Sequence, residues 1–283
     1  MPEEFEADKH VIKVVTFNLK RDGFGAKNRW STRRELAAAM IEHSGAEIIG
    51  VQELLPKMKQ DVQGLLTDYS IVGIGRYQGK RAFNDEHADI IVRDDSAWVD
   101  RYKTFWLSKR PEKAGSRGTL AMYPRVCTMA EVYIKQWGRY IRVFNTHLDH
   151  VSALARVLGV RIILEYMSRY NRQAPMPTIL MGDMNAKPGS RAVRILRENL
   201  HFHSNIHLND VYLSPNAVRL HNTYHSFKGL VREEKQPIDY IFVSDEFEVV
   251  KTEVCTDNLN GQYPSDHFFV MATLRLKSPH IVI

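Results

Sequence analysis

The sequence predicts an α/β protein in which two β-sheets stack face to face and helices flank them. Three observations carry that expectation. Short segments rich in Val, Ile, Phe and Tyr, each bounded by Gly, Pro, Asn or Asp, recur about eleven times along the 283 residues. Helical periodicity occurs in only about four places. Strands and helices do not alternate strictly, which points to stacked sheets with helices on the outside.

The strand segments are 11–17, 47–51, 70–74, 89–93, 98–107, 125–135, 140–146, 178–181, 240–243, 248–255 and 268–274. Gln136-Trp137-Gly138-Arg139 reads as the turn of a hairpin between two of them. Thr32, with Glu35 three residues later, is a capping-box pattern opening a helix over 33–43. Pro56 suits the first turn of a helix over 57–66. Residues 152–170 place Leu154, Val157, Leu158, Arg161, Ile162, Glu165 and Tyr166 at spacings of three and four, a mixed helical face. Ser190 is a candidate cap for a helix over 191–198.

Composition excludes several classes. Apolar residues make up 44% and charged residues 25%, ordinary for a globular protein and unlike collagen, a disordered chain or a disulfide-stapled miniprotein. No repeat, low-complexity tract or linker divides the chain, so one domain over 1–283 is expected, with a core of about 11–275. No apolar run reaches the roughly 18–20 residues of a membrane span. The start carries Glu3, Glu4, Glu6 and Asp8, unlike the basic start of a signal peptide. Cys127 and Cys255 lie in strand-like runs and read as reduced core thiols. A cytoplasmic monomer is the expectation. A net charge of +6 favours anionic partners. Two basic stretches, Lys27, Arg29, Arg33, Arg34 and Lys109, Arg110, Lys113, Arg117, are either solvated surface or a rim for an anionic substrate.

The informative pattern is where polar residues meet strand ends. Asn18 follows Val14-Val15-Thr16-Phe17, Glu53 follows a run ending Val51-Gln52, and His147 follows Phe144-Asn145-Thr146. Asp183 and Asn185 follow Ile179-Leu180-Met181-Gly182, Asp239 precedes Tyr240-Ile241-Phe242-Val243, and Asp266-His267 precedes Phe268-Phe269-Val270-Met271. Turn formation, helix capping or a surface ion pair would account for each singly. Together, on one rim of rigid strands, they would converge on a pocket. Asn18 and Glu53 offer the oxygen ligands that Mg²⁺ and Mn²⁺ prefer. Asp183 could orient or deprotonate a water, and Asn185 could donate to a phosphoryl oxygen. Asp239 paired with His267 would fix the imidazole tautomer and raise its basicity. That set suits phosphoester hydrolysis. No Gly-x-Ser-x-Gly elbow occurs, and Gly73-Ile74-Gly75 lacks the third glycine of a dinucleotide motif.

Six ordered motifs resemble the endonuclease/exonuclease/phosphatase superfamily: Thr16-Phe17-Asn18-Leu19, Val51-Gln52-Glu53, Asn145-Thr146-His147-Leu148, Gly182-Asp183-Met184-Asn185, Ile238-Asp239-Tyr240-Ile241 and Ser265-Asp266-His267. The resemblance implies a four-layered α/β sandwich with two central, mainly antiparallel sheets. It implies a Mg²⁺- or Mn²⁺-dependent phosphoesterase in which Glu53, assisted by Asn18 and Asp266, holds the metal. Asp183 would position the attacking water, Asn185 would bind phosphate, and His267, oriented by Asp239, would stabilise the transition state. His147 and Arg125 resemble phosphate contacts. Glu86 resembles an acidic residue that some members pair with the histidine at position 147. Phe105-Trp106-Leu107-Ser108, Gly115-Ser116, the Asp149-His150 extension and Thr223-Tyr224-His225-Ser226-Phe227 resemble a bacterial branch of uncharacterised members, distantly similar to deadenylases and nocturnin-like phosphatases. By that resemblance Asp149, His150 and His225 would line the substrate pocket. Departures argue against inositol-polyphosphate phosphatases, which resemble a Trp-Cys-Asp stretch this chain lacks, and against abasic-site endonucleases, whose Asn-rich loop is here Ala186-Lys187-Pro188-Gly189-Ser190. A nuclease-type phosphodiesterase acting on single-stranded nucleic acid is the first expectation. A phosphatase for a small phosphorylated metabolite or nucleotide is the alternative.

Overall fold

A computed structural model describes residues 10–23, 28–81, 84–217 and 221–277. The acidic residues at 3–8 and Lys27 of the first basic stretch lie outside them. The elements in chain order are β1 (Val11–Asn18), α1 (Trp30–Ser44), β2 (Ile48–Leu54), α2 (Pro56–Leu65), β3 (Tyr69–Val72), β4 (His87–Arg93), β5 (Ala97–Trp106), β6 (Val126–Ile134), β7 (Arg139–His147), α3 (Ala153–Gln173), β8 (Thr178–Asp183), α4 (Arg191–Arg197), β9 (Asn209–Asp210), β10 (Asp239–Val243), β11 (Phe247–Cys255) and β12 (Phe269–Leu276).

The strands form two six-stranded sheets, ordered β11-β12-β1-β2-β4-β3 and β5-β6-β7-β8-β10-β9. The ladders are antiparallel except β1–β2 and β7–β8. A parallel pair needs a crossover, and α1 and α3 supply one each. This choice positions the site. Parallel pairing brings the C-terminal ends of β1 and β2 to one edge, and those of β7 and β8 likewise. Antiparallel β10 and β12 then present their beginnings at the same edges.

Central strands bury both faces, which explains their nearly unbroken apolar runs. In β1, Ile12 and Val14 join the core between the sheets, whereas Val15 and Phe17 pack outward with Ala37 and Ile41 of α1 and Met58 and Val62 of α2. α3 and α4 cover the second sheet through Val160, Ile163, Leu164, Val193 and Leu196. A buried polar cluster centred on Asn145 interrupts the apolar seam between sheets. Asn145 of β7 is fully buried, and its Nδ2 donates to the carbonyls of Val51 at 2.9 Å and Asp89 at 2.7 Å. Its Oδ1 accepts from Gln52 Nε2 at 2.7 Å. A Cβ at Gly50 would lie 2.7 Å from Asn145 Oδ1, so only glycine leaves room for this crossing.

Ser152 and Ser190 cap α3 and α4, accepting from Ala155 N and Val193 N. The capping box at Thr32 does not form. α1 begins at Trp30, Thr32 lies inside the first turn and donates to Arg29 O, and the Trp30 N–H goes to Asp22 Oδ1 at 2.9 Å. Arg33 is no rim residue either. It is buried and donates to the carbonyls of Asn28, Leu19, Lys20 and Pro264. Both cysteines are free. Among the described residues no helix is long and apolar enough to cross a membrane.

Candidate active site

The first sheet contributes two oxygen-bearing side chains. β1 ends in Asn18. Along β2 the pairing with β4 shifts between Gln52 and Leu54, and Glu53 at that irregularity has φ 58. Such a bulge re-aims one side chain out of the alternation. Here it turns the Glu53 carboxylate toward Asn18, whose Nδ2 lies 3.2 Å from Glu53 Oε1. Asn18 Oδ1 accepts from Lys20 N at 2.9 Å, and Glu53 Oε2 accepts from Arg21 N at 3.0 Å.

The second sheet lines up three more by register. His147 of β7 stands opposite Asp183 of β8, and Asp183 stands opposite Asp239 of β10. Gly182 permits the close approach of β7 and β8: at φ 146, a Cβ there would sit 1.9 Å from Thr146 O. His147 Nε2 lies 3.5 Å from Asp183 Oδ2, and Asn185 N, at φ 47, donates to Asp183 Oδ1 at 2.8 Å. The two sheets meet at Asn18 Nδ2, which also donates to Asp183 Oδ2 at 2.9 Å. His267, just ahead of β12, closes the set. Its Nδ1 is 2.9 Å from Asp239 Oδ2, and its Nε2 faces Asp183 Oδ2 at 4.0 Å and Asp266 Oδ1 at 3.9 Å.

Burial sets the charge states. For His267, burial favours the neutral ring, but Asp239 foremost, with Asp183 and Asp266, outweighs it and pushes the imidazole up to about 10. His267 is therefore an imidazolium at neutral pH, its Nδ1–H donated to Asp239. Burial and then the Asp239 charge push the Asp183 carboxyl well above its ordinary range. Burial, then Arg125 and His267, hold His147 neutral. Burial acts to raise Glu53, but Lys20 and the Arg21 N–H draw it down, so it is ionised.

Two donor groups could hold a cation. Asp183, Asp239 and His267 offer ligand atoms within 4.8 Å of one another, but an ion there must take the place of a ring proton of His267, which as an imidazolium carries both. Glu53 and Asp266 offer carboxylate oxygens, Asn18 can add its Oδ1, which here accepts from Lys20 N while Nδ2 faces Glu53, and Asp266 Oδ1 is buried without a hydrogen-bond partner. That second set fits a hard divalent cation better.

The cleft above these groups encloses about 440 Å³. Glu53, Glu86, Arg125, His147, His150, Asp183, Asn185 and His267 line it, while Asn18, Asp239 and Asp266 are buried beneath. Two expected pocket residues are elsewhere. Asp149 accepts from Met122 N, Val151 N and Ser152 N, bracing the turn before α3. His225 accepts from Gly229 N and stacks on Phe268 at 4.0 Å, and its neighbour Tyr224 faces the cleft instead. Glu86 does not pair with His147. It accepts from Arg21 Nη1 at 2.7 Å and Arg76 Nη1 at 3.0 Å, because two guanidinium cations outcompete a neutral imidazole. Sequence reasoning missed Lys20, Arg21, Arg76, Tyr123 and Tyr224 in the lining. Lys20 and Arg21 come two and three residues after Asn18, a signal that proximity in sequence could have raised.

The model of the endonuclease/exonuclease/phosphatase family matches residues 15–267. The chain belongs to that family. Members of the family are phosphoester hydrolases that generally use divalent metals. A family protein from Bacteroides thetaiotaomicron is 28% identical, with a TM-score of 0.85 over 95% of this chain and 98% of its own. The mannosyl-6-phosphatase Bt3783 of B. thetaiotaomicron VPI-5482 is 29% identical, with a TM-score of 0.84 over 93% of this chain and 99% of its own. The human nocturnin catalytic domain shares the fold at 18% identity, with a TM-score of 0.72 over 94% of this chain and 95% of its own. No curated protein matches the chain.

Proposed function

We propose that the chain is a Mg²⁺- or Mn²⁺-dependent phosphatase of small phosphorylated molecules, with sugar phosphates as the leading class. The observation that carries the hydrolytic chemistry is the Asn18 amide joining Glu53 and Asp183 across the two sheets, with the Asp239–His267 pair beside them. Glu53, Asp266 and Asn18 would hold the cation, which when bound supplies positive charge against a phosphoryl oxygen. Asp183, steered by Asn18 and by Asn185 N–H, orients the attacking water and accepts its proton, a task its raised affinity for protons suits. His267 directs its cationic Nε2–H at the developing charge. Neutral His147, the Asn185 amide and Arg125 hold the phosphate.

The choice of a small substrate rests on where the cations are. A nuclease-type phosphodiesterase, the first expectation from sequence, calls for a basic groove beside the site. Among the described residues, none of either basic stretch belongs to the cleft lining: Arg33 is consumed by backbone carbonyls, Arg34 lies near Glu35 and Asp61, and Lys109, Arg110, Lys113 and Arg117 belong to an exposed loop. Of the three arginines that line the cleft, Arg21 and Arg76 are tied to Glu86 at its wall, and Arg125 is the one beside His147 and His150. Similarity to a mannosyl-6-phosphatase points the same way.

Hexose 6-phosphates and single-stranded oligonucleotides, each with Mn²⁺, Mg²⁺ or EDTA, form the test. Release of phosphate from the monoesters should stop in EDTA and fall by about 10²–10⁴-fold in Asp183→Asn. Oligonucleotide cleavage exceeding monoester hydrolysis would reverse the choice of substrate. Turnover unaffected by EDTA would remove the metal.

A further inference from the structure

Lys20 stands where a cation is called for. Its Nζ lies 3.3 Å from Asp266 Oδ2 and 3.9 Å from Glu53 Oε2, between two of the oxygen donors proposed to hold the divalent metal. This is a built position. The Lys20 backbone has φ 54, a left-handed conformation that residues with a side chain rarely adopt. Neighbours impose it on both sides: Lys20 N donates to Asn18 Oδ1 at 2.9 Å, and Lys20 O accepts from the buried Arg33 guanidinium. With the main chain held, the side chain is delivered to the cleft, where it is part of the lining. It is nonetheless 38% exposed, while Glu53 and Asp266 are 13% and 4% exposed, so the ammonium can swing to water and the carboxylates cannot follow.

We infer that Lys20 is a resident counter-cation: it neutralises Glu53 and Asp266 in the metal-free protein and is expelled when a divalent ion enters. The inference rests on the metal reading above. Loading the site is then an exchange of cations, which weakens apparent metal affinity while keeping the empty site folded. Removing the ammonium should therefore have two opposite effects. The metal should bind more tightly, and the metal-free protein should be less stable.

The test is Mn²⁺ binding by calorimetry to wild type, Lys20→Met, Lys20→Arg and Glu53→Gln, with melting curves in EDTA and in saturating Mn²⁺. Lys20→Met should tighten the Mn²⁺ Kd by about tenfold, the scale of one unit charge removed a few ångströms from a dication in a partly wet site. It should melt earlier than wild type in EDTA and together with it in saturating Mn²⁺. Lys20→Arg, which retains a cation, should keep the wild-type Kd. Glu53→Gln should lose Mn²⁺ binding. Wild-type or weaker affinity in Lys20→Met, with binding lost in Glu53→Gln, overturns the exchange while leaving the metal site standing. Wild-type binding in Glu53→Gln overturns the metal site itself and the exchange with it. If Lys20→Met does not fold, Lys20→Gln carries the same expectations.

Discussion

Replacing Asp239 by Asn tests the charge state at the centre of the site. Asp239 and His267 are 1% and 6% exposed, and Oδ2 sits 2.9 Å from Nδ1. Asp239 is the foremost cause that lifts His267 from an ordinary 6.5 to about 10. At about 1.4 kcal/mol per unit, the full lift corresponds to roughly 5 kcal/mol. Asp183 and Asp266 supply part of it, so about 2–3 kcal/mol is assigned to Asp239. Because the folded-state value is raised, this stabilisation is complete below pH 6.5 and fades as pH climbs through about 10. In EDTA, wild type should exceed Asp239→Asn by that amount in urea unfolding at pH 6, and the gap should close toward pH 10. The NMR signal of the His267 ring should titrate near 10 in wild type and about two units lower in the variant. Turnover should drop about 10²–10³-fold. A wild-type ring titrating near 6.5, or a stability gap constant with pH, would refute the reasoning.

Two further substitutions probe how the scaffold aims the site. Arg33→Met leaves the buried carbonyls of Leu19 and Pro264 without their guanidinium partner and should cost about 3 kcal/mol or more, read as a lower urea midpoint at unchanged slope. Gly182→Ala forces a Cβ against Thr146 O between β7 and β8 at φ 146. It should cost at least about 3 kcal/mol and, because Asp183 is the next residue, reduce kcat more than it raises KM.

Strands were legible where physics is local. The runs around Val14, Ile49, Val143 and Ile179 bury both faces and announce themselves by composition. β9 is two polar residues, Asn209 and Asp210, held by pairing to Phe242 and Val243, and has no apolar signature to read. The start of α1 was misread because its first N–H is satisfied by Asp22, eight residues upstream, which no capping pattern contains. In the site, strand-end residues such as Asn18, Asp183 and Asp239 were readable because parallel and antiparallel pairing carries them to one rim. Glu86 was assigned the wrong partner because the choice depends on Arg21 and Arg76, which arrive from separate loops. Asp149 and His225 have residue types suited to a pocket, yet backbone N–H groups claim them, and only the fold reveals that competition.

The Asn145 crossing has a consequence for how the halves of the site find each other. Two apolar faces attract without preferring one offset over another, since a methyl contact one residue along is nearly as good. An amide wedged between Val51, Asp89 and Gln52 has a single seating, and every slipped alternative strands it without partners. Asn18 and Glu53 ride on one sheet, His147, Asp183 and Asp239 on the other, so the vernier that Asn145 provides is what brings donor atoms to within 3 Å rather than merely into the same neighbourhood. Catalytic competence in this architecture is thus a property of sheet alignment, complete only when the two sheets are seated in this one register.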